Sequence, residues 1–520
     1  MENIKNFFNK NFLTSSLFYF IIIISGIIWG VGQYPSFFFI RYFGLIPFIF
    51  IVIYRRRYIL ESILFGSAAY IMNFYWLYVT FKESGKLPII LAITLPAVLS
   101  VYYGLQYPII AFIYKKFYSF NKNILFYSLP FIFVLVDSLY IKIFKHSIAD
   151  SQIGFNIFVQ NIDITGMTGL IIIIMILNLG LYNLIDKILN KKRIKFAHFI
   201  FLLPFVLSLI YGSFRLYYLN KQIPKCETVI GAMIQGNVTG KQKLDENYFK
   251  TNVDRYNELT KSASGKDETV DLIIWPESIF NRAYHGKDDF LRKVITDNYP
   301  PLILGIVVWL DESNITNSAL LIENRKKTAQ YDKENLLMFG EYIPMEKTFP
   351  FLRKLIPLSR NSRPGKTSSI FKIKNIKASV NICFEEIFPD LIRKKCAEGS
   401  NLLINLTNDS WFGSGLGPLH HSVLGRLRAI ENRRSFFRCT ATGLTTASDF
   451  TGKIIAKGSM STAEVVKARA PLYEKRSIYS YIGELFTYIS VFMVIITALY
   501  IIRRRYKMKK ILNVIKKRDD

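Results

Sequence analysis

Two apolar runs in this chain end in side chains that could make and break bonds. Asp271-Leu-Ile-Ile-Trp-Pro-Glu277 leads into a carboxylate, and Ser379-Val-Asn-Ile-Cys383-Phe-Glu385 leads into a thiol. A thiol becomes a strong nucleophile when its proton is taken, and a carboxylate within reach can take it. A third run, Leu402-Leu-Ile-Asn-Leu-Thr-Asn408-Asp409, ends in an amide and an acid. Each run alone has a plainer reading, because strands often end in polar residues and an isolated Cys is more often buried and inert. The remaining thiols, Cys226, Cys396 and Cys439, make no CxxC pair with each other or with Cys383 and have no metal-ligand spacing. No metal or cofactor is expected.

The elements that must hold these groups are strands. Short apolar runs bounded by Gly, Pro, Asn and Asp predict strands at Val229–Gln235, Leu272–Trp275, Leu302–Val308, Ala319–Ile322, Ala378–Ile382, Leu402–Leu406 and Phe436–Thr440. Helical patterns intervene at Asn247–Ser262 and His421–Arg434. Continuously apolar strands separated by helices imply a sheet covered by helices, an α/β domain spanning about 226–475. In such folds ligand sites gather above strand ends.

Outside that region the chain is of another kind. It has 520 residues, is 51% hydrophobic and carries a formal net charge of +29. Seven stretches near 14–30, 36–53, 59–80, 88–114, 123–144, 165–185 and 197–218 approach the ~20 apolar residues that span a bilayer, and an eighth lies at 484–503. The expected architecture is therefore a seven-span bundle over 1–220, a globular domain over 226–475, an eighth span over 484–503 and a basic tail over 504–520. The positive charge lies in short runs between apolar stretches, which argues against a nucleic-acid face. Lys5 and Lys10, Arg55 to Arg57, Lys115, Lys116 and Lys122, Lys187 to Lys195, and the tail Arg503 to Arg518 all fall on one set of alternate loops. By the positive-inside rule both termini are expected in the cytoplasm, with 226–475 outside. Glu61 and Asp137 lie inside spans, where a helix-packing contact and a part in lipid handling are both open.

Read together and in order, WPE ending at Glu277, YDKxxLxxFGEYxP carrying Lys333 and Glu341, and ICFE carrying Cys383 resemble the nitrilase superfamily and its Glu-Lys-Cys triad. Asn408-Asp-Ser-Trp-Phe-Gly413, Gly417-Pro418 and Arg428-Ala-Ile-Glu-Asn-Arg433 fit the same superfamily. The resemblance implies an αββα sandwich over about 226–475. Gln235-Gly-Asn237, Asn73-Phe-Tyr-Trp-Leu-Tyr78 and the insertion before the last span make the whole chain similar to the apolipoprotein N-acyltransferases.

That resemblance implies an enzyme of the bacterial cytoplasmic membrane with an extracytoplasmic catalytic domain, here a monomer. Its partners would be membrane lipid, a phospholipid acyl donor and a diacylglyceryl-modified apolipoprotein acceptor. Cys383 would carry the acyl group as a thioester, Glu277 would move protons, and Lys333 would face the oxyanion together with the backbone N–H of Phe384. Glu341 would orient Lys333 or assist proton transfer, and Glu385 would shape the loop or touch lipid. The chain departs from the family's pattern in having Phe384 where Tyr is common after the nucleophile, and Lys243-Leu244-Asp245 where the family has Trp. Two other readings compete: a membrane-tethered amidohydrolase with water as acceptor, and an inactive membrane scaffold. His420 and His421 are expected to be structural, and Trp411 to pack the loop beneath the site. Residues 349–358, apolar with interleaved Arg353, Lys354 and Arg360, are either a membrane-dipping arm or a core-packing loop.

Overall fold

A computed structural model describes residues 15–121, 126–263, 269–311, 314–338, 340–355, 361–366, 369–413 and 416–519. The chain forms two compact units, one of Met1–Tyr78, Pro88–Ser213 and Glu484–Asp520, the other of Val79–Leu87 and Phe214–Gly483. The short segment Val79–Leu87 thus belongs with the globular unit, although the sequence reads its first two residues as the end of a span and the rest as the loop before the next.

In the first unit the apolar stretches are helical. Among the described residues five helices are long and apolar enough to cross a membrane: Pro35–Tyr54, Ile89–Phe120, Ile162–Leu189, Phe196–Lys225 and Leu485–Lys509. Tyr58–Phe74 with Leu77–Glu83, bent by 60°, adds a sixth if the pair is one span, and Ser16–Val31 and Phe126–Leu139 are shorter apolar helices. The last helix runs unbroken from Leu485 to Asp519, so span and basic tail are one element. Glu61 is fully buried and pairs with Arg55 at 2.9 Å, and Asp137 pairs with Lys142. A buried charge without a partner is costly, so each pairing lets an acid persist there.

The second unit is a two-sheet sandwich. Strands β1 (Glu227–Gln235), β2 (Leu272–Trp275), β3 (Leu302–Trp309), β4 (Asn314–Glu323), β5 (Lys326–Asp332) and β6 (Asn361–Ser362) join one sheet. The other takes β7 (Ile370–Ile373), β8 (Ile376–Ile382), β9 (Leu402–Thr407), β10 (Ser435–Thr440), β11 (Thr446–Ser448) and β12 (Ile454–Lys457). Strand β13 (Glu464–Leu472) returns to the first sheet, whose order is β13-β1-β2-β3-β4-β5 with β6 beside β4; the second runs β12-β11-β10-β9-β8-β7. The central pairs β1–β2, β2–β3, β8–β9 and β9–β10 are parallel.

Side-chain alternation explains the layering. Val229, Met233, Leu272 and Ile274 of the first sheet share one core with Val380, Ile382, Ile404 and Phe437 of the second. Their strand neighbours Ile230, Ile234, Ile273 and Trp275 face the other way, onto Val253 and Tyr256 of helix Phe249–Ala263 and Leu291 of helix Asp288–Val294. On the far side Leu403 and Phe436 meet Ile392 of helix Pro389–Ala397 and Ala429 of helix Leu416–Asn432. The result is the αββα sandwich that the resemblance implied. Strands buried on both faces read as unbroken apolar runs for this reason.

Two glycines fix close approaches. A Cβ on Gly231 would lie 2.4 Å from the Phe437 ring, across the inter-sheet core. One on Gly305 would lie 2.4 Å from the Pro276 carbonyl oxygen, so only Gly lets β3 back onto the turn that presents Glu277.

Candidate active site

Strand ends converge on one constellation. Glu277 lies two residues beyond β2, Lys333 directly follows β5 and Cys383 directly follows β8. Glu277 and Lys333 are 8% and 1% exposed, and Cys383 is partly buried. The Lys333 ammonium sits 2.9 Å from Glu341 Oε2 and 3.8 Å from Glu277 Oε1. The thiol feels the fields of both Glu277 and Lys333.

The chain turns sharply at both reacting ends. Cys383 has φ of +55° and opens a 3-10 turn, Cys383–Ile387, and Ser278, next to Glu277, has φ of +45°. Non-glycine residues adopt this left-handed region at a cost of roughly 1–3 kcal/mol, and it recurs where a side chain must be aimed.

Asn317 of β4 joins the two carboxylates. Its amide donates to Glu277 Oε1 at 2.7 Å and to Glu341 Oε1 at 3.0 Å, and its oxygen accepts from the Ser278 hydroxyl at 3.1 Å. Glu277 Oε2 accepts the Asn408 backbone N–H at 2.9 Å, and Glu341 Oε2 accepts the Leu337 N–H at 2.8 Å. Sequence reading missed Asn317 because Asn314-Ile-Thr-Asn-Ser318 looks like a polar turn, and the predicted strand began only at Ala319. The available signal was a run of small polar residues leading into an apolar strand.

Glu385 is fully buried. Its carboxylate accepts from the Tyr331 hydroxyl at 2.9 Å, from the Glu334 and Asn335 N–H groups at 2.7 and 3.0 Å, and from the Ile382 N–H at 2.7 Å. It therefore ties the loop carrying Lys333 to the turn carrying Cys383. Phe384 lies in the same turn, its ring 5.6 Å from and edge-on to Phe388.

Behind the site His421 is structural, as expected. Its ring nitrogens lie 3.0 Å from Asp409 and 3.2 Å from Glu386, and Arg438 reaches both acids at 3.0 and 3.3 Å. All four residues are buried. The cluster anchors Asp409, the residue after the one whose N–H holds Glu277. His420 is also buried, on the same helix. Trp411 corrects an expectation: it is 39% exposed and lines a cavity instead of packing beneath the loop. Phe349 and Phe351 are 43% and 57% exposed, while 356–360 of the same stretch lie outside the described residues.

Electrostatics assigns the resting charges. Burial works to discharge Lys333, but Glu341 and then Glu277 outweigh it, so its pKa is raised. Burial works to protonate Glu341, yet Lys333 and the Leu337 N–H hold it below the usual carboxylate range. Burial, followed by the Glu277 carboxylate, pushes the Cys383 thiol well up, with Lys333 opposing. A thiol beside a carboxyl group and a fixed ammonium is an arrangement that can carry out nucleophilic acyl transfer, with deprotonation coupled to attack. Lys243, partly buried, is a second cation under the influence of Glu277, Cys383 and Glu341; burial lowers its pKa and those groups oppose the fall. Among the described residues no group of three or more His, Cys, Asp or Glu is arranged to hold a metal ion.

Comparison with known proteins covers both units. Residues 232–477 match the carbon-nitrogen hydrolase family, and residues 25–180 match the apolipoprotein N-acyltransferase N-terminal domain. The apolipoprotein N-acyltransferase of Geobacter metallireducens is 27% identical over 85% of this chain and 86% of that protein. The one from Pasteurella multocida is 25% identical over 95% of this chain and 97% of that protein. Among solved structures, Saccharomyces cerevisiae Nit3, a member of branch 10 of the nitrilase superfamily, aligns over 49% of this chain and 93% of that chain at 21% identity, with a TM-score of 0.35. With both family domains matched and relatives aligned over most of its length, the chain belongs to the apolipoprotein N-acyltransferase family.

Proposed function

We propose that this protein moves an acyl chain from a membrane phospholipid, through a thioester on Cys383, to the N-terminal amine of a diacylglyceryl-cysteine lipoprotein. The observation that carries the reading is the buried Glu277–Lys333–Glu341 set beside a strained Cys383, in a chain of this family. Glu277 takes the thiol proton as Sγ attacks the ester carbonyl. The oxyanion that forms is met by Lys333 and the Phe384 N–H. Collapse breaks the C–O bond, and Glu277 returns the proton to the departing lysophospholipid. The acceptor amine then attacks the thioester and gives a proton to Glu277. The C–S bond breaks, and Cys383 is reprotonated. Glu341 keeps Lys333 charged and in place.

The membrane arrangement is part of the same proposal. All eight apolar stretches span the bacterial cytoplasmic membrane, both termini face the cytoplasm and 226–475 lies outside, in keeping with the one-sided distribution of Lys and Arg. The short helices Ser16–Val31 and Phe126–Leu139 then count as spans, as does the bent pair. The stretch 349–358 is proposed to enter the outer leaflet, a reading supported within its described part by the exposure of Phe349 and Phe351. The enzyme acts as a monomer.

Intact-protein mass spectrometry tests the chemistry. Phospholipid alone should leave one acyl adduct on Cys383, and a diacylglyceryl-cysteine peptide should discharge it. An adduct persisting in Cys383→Ala, or discharge to water as fast as to the peptide, would refute the proposal.

A further inference from the structure

The second unit holds a cavity of about 750 Å³ that the chemistry above leaves unassigned. Its walls are Val79–Leu87, the Asn237–Asp245 segment, the 410–413 loop, and Thr442 with Ser461, all within the second unit. Two of these walls also serve the triad. The 410–413 loop follows Asn408, whose N–H holds Glu277, and helix Gly240–Leu244 carries Lys243, which acts on Glu277 and Cys383.

We infer that this cavity receives the polypeptide portion of the acceptor, the residues that follow its lipidated N-terminal cysteine. The inference rests on the acyltransfer reading. The lining argues for a polar occupant over an acyl chain, because four of its twelve residues are charged: Glu83 and Asp245, Lys86 and Lys241. Burying hydrocarbon against such a wall would strip these groups of water without replacing its hydrogen bonds. Two acids against two bases also leave no surplus positive charge, which a phosphate would select. Balanced charge with hydroxyl and amide groups suits main-chain amides followed by side chains of many kinds. The volume sits high in the range of about 300–1,000 Å³ that encloses drug-sized molecules, so several residues fit. Trp411, exposed on this wall, supplies a rigid amphipathic surface of the kind that anchors peptides.

The cavity is preformed. Asn237, held at φ of +50°, donates its side-chain amide to the Ser461 carbonyl at 2.9 Å, and the Ser461 N–H donates to the Thr442 carbonyl at 2.8 Å. Gly413, at φ of +63°, would bring a Cβ within 3.0 Å of Val79, so the Val79–Leu87 wall packs directly on the loop. A built pocket whose 410–413 wall runs on from Asn408, the residue that holds Glu277, gives the peptide a place apart from the lipid groups of both substrates.

The two half-reactions of the full-length enzyme in detergent separate this subsite from the catalytic reading. Trp411→Ala and the double variant Glu83→Ala/Lys241→Ala should form the Cys383 adduct from phospholipid within about twofold of the parent rate. Transfer to a diacylglyceryl-cysteine peptide of six residues should fall about tenfold or more in kcat/KM. Transfer to diacylglyceryl-cysteine methyl ester, which has no peptide, should stay within about twofold. Equal losses with both acceptors, no loss with either, or a loss confined to adduct formation (the mark of a donor-headgroup pocket) would each overturn the inference. A parent enzyme that forms no adduct would instead overturn the acyltransfer reading on which it rests.

Discussion

Asn317 offers the sharpest test of how the site works. Its single amide nitrogen donates to Glu277 and to Glu341, two carboxyl groups that share one ammonium. Hydrogen bonds to charged groups contribute about 1.5–3 kcal/mol each. Asn317→Ala removes one from each carboxylate and makes both harder to keep ionised. In the proposed mechanism acylation uses the ionised form, so its acid limb should move to higher pH. At about 1.4 kcal/mol per pH unit, the loss of one bond corresponds to a shift of roughly 1–2 units. Asn317→Asp should move the limb further in the same direction. It replaces a donor with a third negative charge, worth about 4 kcal/mol at 4 Å and an effective dielectric constant of 20. The assay is single-turnover formation of the Cys383 adduct across pH, followed by intact-mass measurement, with circular dichroism to verify folding. The limb belongs to the coupled pair, so the shift is read as a property of both acids. Folded variants that keep the parent rate and the parent acid limb would refute the claim that Asn317 sustains the ionised base.

Four further outcomes follow. Glu277→Gln removes a negative charge that raises the Cys383 pKa, so direct thiolate titration by ultraviolet absorbance should move down in pH even as acylation collapses; an unmoved titration would disconnect the two groups. Glu341→Gln should lower the thermal midpoint at pH 7. Because the folded pKa of Glu341 is depressed, its stabilising contribution is present above the usual value near ~4.3 and is lost as pH falls through the depressed value, so parent and variant should converge in acid. Glu385→Ala leaves the Glu334, Asn335 and Ile382 N–H groups without their acceptor; a loss of about 3 kcal/mol or more should appear in chemical denaturation, and a stable, active variant would contradict the clamp. Phe349→Ser with Phe351→Ser should slow loading from bilayer lipid more than loading from a short soluble ester, whereas equal losses would make the segment core.

The α/β class, the strands bearing Glu277 and Cys383, and the order of the triad were legible because continuous apolar runs ending in reactive side chains mark buried parallel strands. Strands β5 and β13 were not. Lys326–Asp332 is polar except for Ala329 and Tyr331, and Glu464–Leu472 interleaves Lys467 and Arg469 with its buried positions, as strands with one solvated face do. The same opacity hid Asn317, a polar residue useful because it is buried in a strand. Glu385 could not be assigned from sequence, since its four partners come from positions as far as 54 residues away. The presence of apolar helices was readable, but their lengths and geometry were not. The 60° bend after Phe74 and the long continuation of the last helix depend on packing and hydrogen bonding that hydropathy does not encode.

The proposed base and cation stand on one sheet of the sandwich and the proposed nucleophile on the other. The alignment of reacting groups is therefore a matter of registration between two rigid plates, with the Phe437 ring seated over Gly231 as a detent and the Glu385 carboxylate as a pin across the gap. A side chain added at Gly231 would act like a shim, displacing thiol from ammonium without touching either. Substitutions deep in the inter-sheet layer should thus be felt as kinetic defects while the protein is still folded, and suppressors of such defects should map to the opposite sheet.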